Sequence, residues 1–332
     1  MDKGGAKFFL ATHVDDGPCT GNEAGFKLAI ECLKSVFEIT ITKEPKMILG
    51  VQFDRDWGAK SIKLHQTTYI KSILRAFGLQ NTRGRSTPME KNTSSLIHKK
   101  LREIKERGEQ GRETDLKQRI GKLIYLKTRP DIAFASGFIS RFGKSAGNEE
   151  VKMANDIIRY LGSYPGKGIT FKAGDWAEMH WYSDSDLGGD PISSKSTSGI
   201  VCKDGAGNTL FFRSWLQRKV ADSTGMAETY AAHDACKLIK LYVGMWQEAG
   251  MKVKLPVKLY VDSDNVCQLN KGVSSHHASR HYRLAQAFIC EKVQEGLVEL
   301  VYVPTDRNPA DLLTKPLAFD AHHRHSKMLM GA

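Results

Sequence analysis

The sequence has no stretch that would fix it in a membrane or direct it out of the cell. No apolar run approaches the roughly 18 residues that a transmembrane helix needs, and the first residues lack the apolar core of a signal peptide. We therefore expect an intracellular protein, cytoplasmic or nuclear, that neither is secreted nor spans a membrane.

Cysteine is also scarce and scattered. The cysteines form no C-x-x-C pair, and the chain contains no internal repeat. This pattern argues against a zinc site or a disulfide framework and favours a reducing compartment. The six cysteines are Cys19, Cys32, Cys202, Cys236, Cys267 and Cys290.

What the chain does contain is a globular composition with an excess of positive charge. Apolar residues make up 41% and charged residues 26%, and the 332 residues leave room for two or three domains. Lys plus Arg number 49 against 37 Asp plus Glu, which gives a net charge of +12. Such an excess favours a polyanionic partner, either nucleic acid or an anionic membrane surface, over the alternative of a basic face that binds nothing.

Composition and periodicity divide the first half of the chain. Residues 1–90 alternate short predicted strands and helices, residues 91–117 are charged with almost no apolar spacing, and helical patterns return over residues 118–176. We expect residues 91–117 to be an exposed linker or insertion rather than a dedicated RNA-binding tail.

Residues 177–318 predict an α/β domain within a chain that is α+β overall. Three strands with a hairpin turn signal are followed by a long helix, a strand, two helices, a last strand and the start of a final helix. We expect a mixed five-stranded sheet with flanking helices. Residues 319–332 are left as a C-terminal tail.

Four acids fall at informative places in this order. Asp184 ends the first predicted strand of the domain, and Glu228 lies in the first turn of the long helix. Asp262 ends the fourth strand, and Asp311 starts the last helix. Taken singly, each acid is an ordinary helix cap or surface charge.

Taken together, the four acids predict a metal centre. Strand ends and helix starts meet at one edge of an α/β sheet, where clustered acids repel each other unless a cation lies between them. Hard Mg²⁺ suits oxygen ligands, with Mn²⁺ as an alternative. Two such ions roughly 3.5–4 Å apart can activate water and stabilise the leaving oxygen of a phosphodiester.

Short motifs follow one another through the same region. They include Trp-Tyr-Ser-Asp-Ser-Asp-Leu-Gly-Gly-Asp at 181–190, Lys-Ser-Thr-Ser-Gly at 195–199, Gln-Arg-Lys-Val-Ala-Asp-Ser-Thr at 217–224, Arg-His at 280–281 and Val-Pro-Thr-Asp-Arg-Asn-Pro-Ala-Asp-Leu-Leu-Thr-Lys-Pro-Leu at 303–317. Together they resemble the ribonuclease H domain of copia-type retrotransposon polyproteins. The resemblance implies a ribonuclease H-like fold that cleaves the RNA strand of RNA–DNA hybrids with two Mg²⁺ ions.

The resemblance also implies roles for the four acids. Asp184, Glu228, Asp262 and Asp311 match the metal-binding, catalytic acids of the family, and Asp264 is a rival for the third position. One departure is that no histidine lies within residues 301–311, where cellular ribonucleases H often carry one to assist product release.

The upstream half resembles the reverse transcriptase of the same elements. His-Val-Asp-Asp at 13–16 is similar to the Val-Asp-Asp turn of the polymerase palm, so residues 1–90 are interpreted as a truncated palm with the start of the thumb and 118–176 as the helical connection. Only 14 residues precede Asp15, which leaves no room for the further aspartate and the fingers that a polymerase needs. We expect Asp15 and Asp16 to be relic polymerase metal ligands or ordinary turn residues, and we expect no autonomous DNA synthesis. Other parts of a retroelement polyprotein are candidate partners.

Basic residues of the second half form a candidate surface for the substrate. An RNA–DNA hybrid would be recognised by its backbone shape and 2′-hydroxyls, with little base specificity. Near position 280, His276 and His277 belong either to a helix face that contacts phosphate or to a plain solvated surface. The candidate nucleic-acid-binding residues are Lys195, Arg213, Lys219, Arg280 and His281.

Three hypotheses remain for the function. The first is a metal-dependent ribonuclease H fused to an incomplete and inactive reverse-transcriptase part. The second is a non-catalytic nucleic-acid-binding remnant of a retroelement, and the third is a degenerate remnant that folds poorly. The order of the acids, with Glu second and an Asp last, argues against an integrase or transposase.

Overall fold

The computed structural model describes residues 5–91, 113–143, 147–272 and 280–331. Its internal contacts divide the chain into two units, residues 1–54 and residues 55–332. Most of the predicted linker at 91–117 lies outside the described residues, as do His276 and His277. The predicted domain boundaries stay predictions.

An antiparallel hairpin opens the first unit. Strand β1 (Phe8–Leu10) pairs with strand β2 (Cys19–Gly21). The first strand ends at Leu10, and the backbones of His13 and Asp16 pair with each other across the connecting turn at 2.8 and 3.0 Å. Asp15 and Asp16 are both exposed in this turn.

A helix and a second short strand pair complete the first unit. Helix α1 (Glu23–Lys34) begins after Asn22, whose side-chain oxygen accepts the N–H of Gly25 at 2.9 Å and so satisfies one free donor of the first turn. Strand β3 (Met47–Ile48) then pairs antiparallel with the start of strand β4 (Val51–Asp56).

A helical layer opens the second unit. Its core consists of fully buried side chains at helical spacing, among them Ile70, Leu123, Phe138 and Ile157. The elements in order are β5 (Ser61–His65), α2 (Thr67–Ala76), α3 (Glu113–Ile124), a 3₁₀ turn (Pro130–Ile132), α4 (Ala133–Ser140), α5 (Asn148–Ser163) and β6 (Gly168–Lys172).

Two features of this layer differ from the sequence expectation. Helix α3 begins at Glu113, inside the predicted linker, and Leu116 of its first turn is buried. Strand β6 has no strong pattern of its own, and it forms by antiparallel pairing with β5 about a hundred residues earlier in the chain.

The second part of this unit contains the five-stranded sheet. Strands β7 and β8 and strands β8 and β9 pair antiparallel, whereas β10 lies parallel to both β7 and β11, so that the order is β11-β10-β7-β8-β9. The predicted mixed sheet with flanking helices is therefore confirmed. The elements are β7 (Met179–Ser185), β8 (Thr197–Asp204), β9 (Thr209–Leu216), α6 (Thr224–Glu248), β10 (Val257–Val261), α7 (Asp264–Cys267), a 3₁₀ turn (Gln268–Lys271), α8 (Arg280–Gln294) and β11 (Val298–Tyr302).

The C-terminal segment is more structured than the sequence suggests. The helix predicted to start at Pro309 is a short 3₁₀ segment (Pro309–Leu313) that ends before Pro316, where a proline cannot supply the next backbone donor. The residues left as a tail form helix α9 (Phe319–Met330), which buries Leu329. No helix of the described residues has both the length and the apolar character needed to cross a membrane.

A buried ionic network joins α9 to the helical layer. Arg129 and Asp131, which are 1% and 3% exposed, form a two-armed pair at 2.9 and 2.8 Å, and the hydroxyl of Tyr160 donates to the same carboxylate at 2.7 Å. His322 of α9 contacts the backbone oxygen of Asp131 through Nε2 at 3.1 Å. Burial alone would raise the pKa of Asp131, but Arg129 and Tyr160 lower it to about 2.

We predict that Arg129→Met lowers the free energy of unfolding by about 3–5 kcal/mol at neutral pH, because it leaves the Asp131 carboxylate buried without its cation. The contribution of Asp131 should be fully present above pH ~4, the ordinary range of an aspartate, and should be lost as the pH falls toward 2. Chemical denaturation at several pH values measures both effects. Arg75→Met, at an exposed arginine of α2, is the matched control, and an equal loss in both variants would contradict the prediction.

Candidate metal centre and nucleic-acid surface

Three of the four predicted acids lie together at one end of the sheet. Asp184, Glu228 and Asp262 each offer a carboxylate oxygen, and these oxygens all lie within 4.8 Å of one another. Asp184 is 1% exposed and Glu228 is 8% exposed, whereas Asp262 is half-buried. The arrangement provides a compact group of hard oxygen donors.

Strand register and a helix cap bring these three acids together. Tyr182 of β7 pairs in parallel with Tyr260 of β10, so the residues two positions further along, Asp184 and Asp262, leave the sheet at the same end. Helix α6 begins after Ser223, whose hydroxyl accepts the N–H of Met226 at 3.3 Å. Its first turns carry Glu228 into the same place.

Burial and repulsion from neighbouring acids disfavour the ionised forms of Asp184 and Glu228. Burial is the main cause that raises the pKa of Asp184 to about 8, with Asp262 and Asp311 acting in the same direction and Lys315 opposing them. Burial also raises the pKa of Glu228 to about 9, together with Asp184 and Asp262. A cation among the three would remove this repulsion.

Hydrogen bonds fix one side of the carboxylates and leave the other side available. The hydroxyl of Thr314 donates to Asp184 Oδ2, and the hydroxyl of Thr305 donates to Asp262 Oδ2 at 2.8 Å. Within the described residues, Glu228 Oε2 and Asp262 Oδ1 receive no hydrogen bond although both are buried. Buried oxygens held in place without donors fit a hard divalent cation such as Mg²⁺.

Asp311 is next to this group but is not a member of it. The 3₁₀ segment that carries it packs on β8 at Gly199, where a Cβ atom would lie 2.6 Å from the backbone oxygen of Ala310. Asp311 forms an ion pair with Lys315, and its second oxygen lies 3.8 Å from Nε2 of the buried His325. Sequence analysis assigned no role to Lys315 or His325, because α9 was not expected to fold back.

The other acids that were candidate metal ligands lie outside the three-carboxylate group. Asp264, the rival of Asp262, is exposed in the first turn of α7 and is not one of the three clustered acids. Asp15 and Asp16 belong to the first unit and are likewise not in that group.

A basic cleft lies along the outer face of α6. It has a volume of about 810 Å³ and is bounded by β9, α6 and α8. Arg213, Lys219 and His281, which are three of the five predicted nucleic-acid-binding residues, line it, whereas Lys195 and Arg280 do not. Further lining residues include Trp215, Arg218, Tyr230, His233, Asp234, Lys237 and Phe288.

The cleft and the three acids lie on different faces of α6, and one hydrogen bond connects their surroundings. Tyr230, His233 and Lys237 follow one face of α6, while Glu228 points to the sheet. Gln217 of the cleft donates from Nε2 to the backbone oxygen of Ala227, next to Glu228, at 2.9 Å.

The helical layer also supports the loop that follows Asp184. Arg141, at the end of α4, donates to Asp190 Oδ1 and to the hydroxyl of Thr197, both at 3.0 Å. Asp190 in turn accepts hydrogen bonds from the N–H and the hydroxyl of Ser193 at 2.8 and 2.6 Å. The loop between β7 and β8 is thus held both by hydrogen bonds within the loop and by Arg141.

Comparison with known proteins gives related sequences but no matching family model. The chain is 31% identical over 312 residues to the retrovirus-related Pol polyprotein from transposon TNT 1-94 of Nicotiana tabacum, an alignment that covers 92% of the chain and 23% of that protein. It is 26% identical over 333 residues to the corresponding polyprotein from transposon RE2 of Arabidopsis thaliana, which covers 99% and 22%. The chain thus spans less than a quarter of the length of these curated relatives.

Among solved structures, LC11-RNase H1 in complex with an RNA/DNA hybrid aligns with the chain at 20% identity and a TM-score of 0.33, covering 41% of this chain and 94% of that one. The foamy viral protease-reverse transcriptase in complex with dsDNA aligns at 12% identity and a TM-score of 0.38, covering 58% and 38%.

The strand order, with two antiparallel pairs followed by two parallel ones, is that of a ribonuclease H-like domain. The sequence as a whole is related to a segment of the retrovirus-related Pol polyproteins of plant transposons, which confirms the resemblance to retrotransposon polyproteins.

We predict that Arg141→Ala loosens the loop after Asp184, because Asp190 loses a charged donor in a partly buried place. The cost in stability should be about 1.5–3 kcal/mol, which is typical of a hydrogen bond to a charged group. Hydrogen exchange at the amides of Ser193 and Ser194, both bonded to Asp190, should become faster, while exchange in β10 should not change. Unchanged exchange at these two amides would contradict the supporting role of Arg141.

Proposed function

We propose that the chain is a metal-dependent nuclease that cleaves the RNA strand of RNA–DNA hybrids. The observation that carries this proposal is the group of three carboxylates, drawn from two strand ends and a helix start, within 4.8 Å of one another. The resemblance to retrotransposon polyproteins, and specifically to their copia-type members, supports the choice of substrate.

The chain's own residues would prepare the site for catalysis. Asp184, Glu228 and Asp262 would hold the divalent cation, Mg²⁺ or Mn²⁺, and Asp311 is a candidate ligand for a second ion. When bound, such ions activate water and stabilise the leaving oxygen of a phosphodiester. Thr314 and Thr305 orient the carboxylates by donating hydrogen bonds, and so keep their free oxygens directed into the group.

The basic cleft supports the proposed substrate. Four of its lining residues carry a full positive charge, and Asp234 is the acid among those that line it. The guanidinium of Arg213 lies 4.9 Å from the ring of Trp215, so that a charge and an aromatic surface are presented together. A phosphate backbone is the polymer that such a surface attracts. We include Lys195 and Arg280, outside the cleft, as further contacts of the same surface.

The first unit is not part of the proposed nuclease site. We infer that it resembles part of a reverse-transcriptase palm, with Asp15 and Asp16 as relic metal ligands. Among the described residues, Asp15 and Asp16 belong to no group of three side chains that could hold a metal ion.

Cleavage of a labelled RNA–DNA hybrid by the full chain tests the proposal. With Mg²⁺ or Mn²⁺ present we expect RNA cleavage that a chelator abolishes, and no cleavage of duplex DNA. Asp262→Asn should reduce the rate at least a hundredfold, because it removes a metal-binding oxygen. Asp264→Asn, two residues away at an exposed position, is the matched control and should stay within about threefold of the unsubstituted chain.

Two results would count against this proposal. Cleavage that survives Asp262→Asn would show that the three carboxylates do not form the active site. A folded chain that binds hybrids but never cleaves them would instead favour the non-catalytic binding remnant.

Substitution of the cleft tests where the substrate binds. Arg213→Met with Lys219→Met should weaken hybrid binding about tenfold or more, measured with Ca²⁺ in place of Mg²⁺. The slope of log affinity against log salt should become shallower by about 2, because two phosphate contacts are lost. Lys252→Met, at an exposed lysine outside the cleft, is the control. An unchanged salt slope in the double variant would place the substrate elsewhere.

A further inference from the structure

A lysine directly follows the residue that donates a hydrogen bond to Asp184, because Lys315 comes after Thr314. Lys315 forms an ion pair with Asp311, four residues earlier in the chain. Its charge also acts on Asp184 and Asp262, and it is the cation that acts most strongly on the Asp184 carboxyl. An ammonium group therefore already provides part of the positive charge that the acids require.

Asp311 has a cation on one side and a histidine near the other. One carboxylate oxygen pairs with Lys315, and the other lies 3.8 Å from Nε2 of His325. The Asp311 side chain is 5% exposed, so water supplies little alternative solvation. These contacts explain why Asp311 lies beside Asp184, Glu228 and Asp262 without sharing their cluster.

The Lys315 side chain has space to rotate away from Asp311. Its side chain is 41% exposed, in contrast to the buried Asp311, and a lysine side chain keeps several rotatable bonds. The ammonium can thus turn to solvent without unpacking the fold. Asp311 would then be left as a buried carboxylate beside three others, which favours a new cation in its place.

We propose that Lys315 is an internal counter-cation that competes with a divalent metal ion for Asp311. The proposal rests on the proposed metal centre and specifies how that centre is regulated. In the metal-free protein, Lys315 stabilises the acids. When a divalent ion binds the three acids, the two positive charges oppose each other, so in the unsubstituted chain the lysine weakens metal binding and keeps Asp311 from acting as a ligand.

The substitution Lys315→Met tests this competition, because methionine keeps most of the aliphatic chain and removes the charge. We expect Mn²⁺ affinity, measured by titration calorimetry on the full chain without nucleic acid, to rise about tenfold or more. In chelator, the melting temperature of this variant should be lower than that of the unsubstituted chain, and added Mn²⁺ should reverse the order. Lys315→Arg keeps the charge and should leave the Mn²⁺ affinity within about threefold.

Two further variants distinguish the effect of Lys315 on Mn²⁺ binding from the general effect of removing a charge. Lys327→Met removes an exposed lysine of α9 and should change neither Mn²⁺ affinity nor melting. Asp311→Asn should change Mn²⁺ affinity by less than about threefold, because Lys315 already occupies that carboxylate, whereas Asp262→Asn should lower it at least tenfold. The Asp311 variant remains informative if Lys315→Met fails to fold.

The outcomes distinguish this proposal from the proposed function. If the unsubstituted chain binds Mn²⁺ and cleaves hybrids, but Lys315→Met binds the ion no more tightly, the competition is overturned and the nuclease proposal stands. A loss of more than tenfold in Asp311→Asn would also overturn it. If the unsubstituted chain neither binds Mn²⁺ nor cleaves hybrids, the nuclease proposal fails and the competition fails with it.

Discussion

Crowding of carboxylates at the end of buried strands is the constraint on which the centre of this structure depends. Asp184, Glu228 and Asp262 lie close enough to share an ion, and burial together with repulsion from neighbouring acids disfavours the ionised forms of Asp184 and Glu228. The surrounding chain offsets that cost with hydroxyl donors from Thr305 and Thr314. A site of this kind is specific because its geometry is fixed before any ligand arrives, by strand register and a helix cap rather than by mobile loops.

The helical layer and the sheet share their supporting contacts. Arg141 holds the loop that follows Asp184, and His322 connects helix α9 to the buried pair of Arg129 and Asp131. The same α9 brings His325 to Asp311. The residues interpreted as a connection thus contribute to the surroundings of the proposed active site, although none of the described ones belongs to the three-carboxylate group.

Helix α6 carries residues of the acid group on one face and residues of the basic cleft on another. The buried face carries Glu228 toward the strand ends, and the outer face carries Tyr230, His233 and Lys237 into the basic cleft. Because a helix turns about 100° per residue, neighbouring positions can serve chemistry and binding without interfering with each other. The separation also places the positive side chains of the cleft on a different face of the helix from Glu228.

The sequence by itself determined the periodic elements and the identity of the acids. Hairpin signals, the long helix and the apolar strands predicted the mixed sheet, and Asp184, Glu228 and Asp262 stood out because each follows a strand or starts a helix. These signals are local, so a short window of residues contains them. They also sufficed to prefer Asp262 over Asp264, the acid that the fold leaves exposed.

Only the tertiary structure decided which groups meet across long separations. It paired β6 with β5, folded α9 back so that His325 lies near Asp311, and separated Asp311 from the other three acids through its ion pair with Lys315. It also gathered three of the five predicted basic residues in one cleft. Such outcomes depend on packing and on the balance of charge in a shared buried space, and no local pattern of residues carries that information.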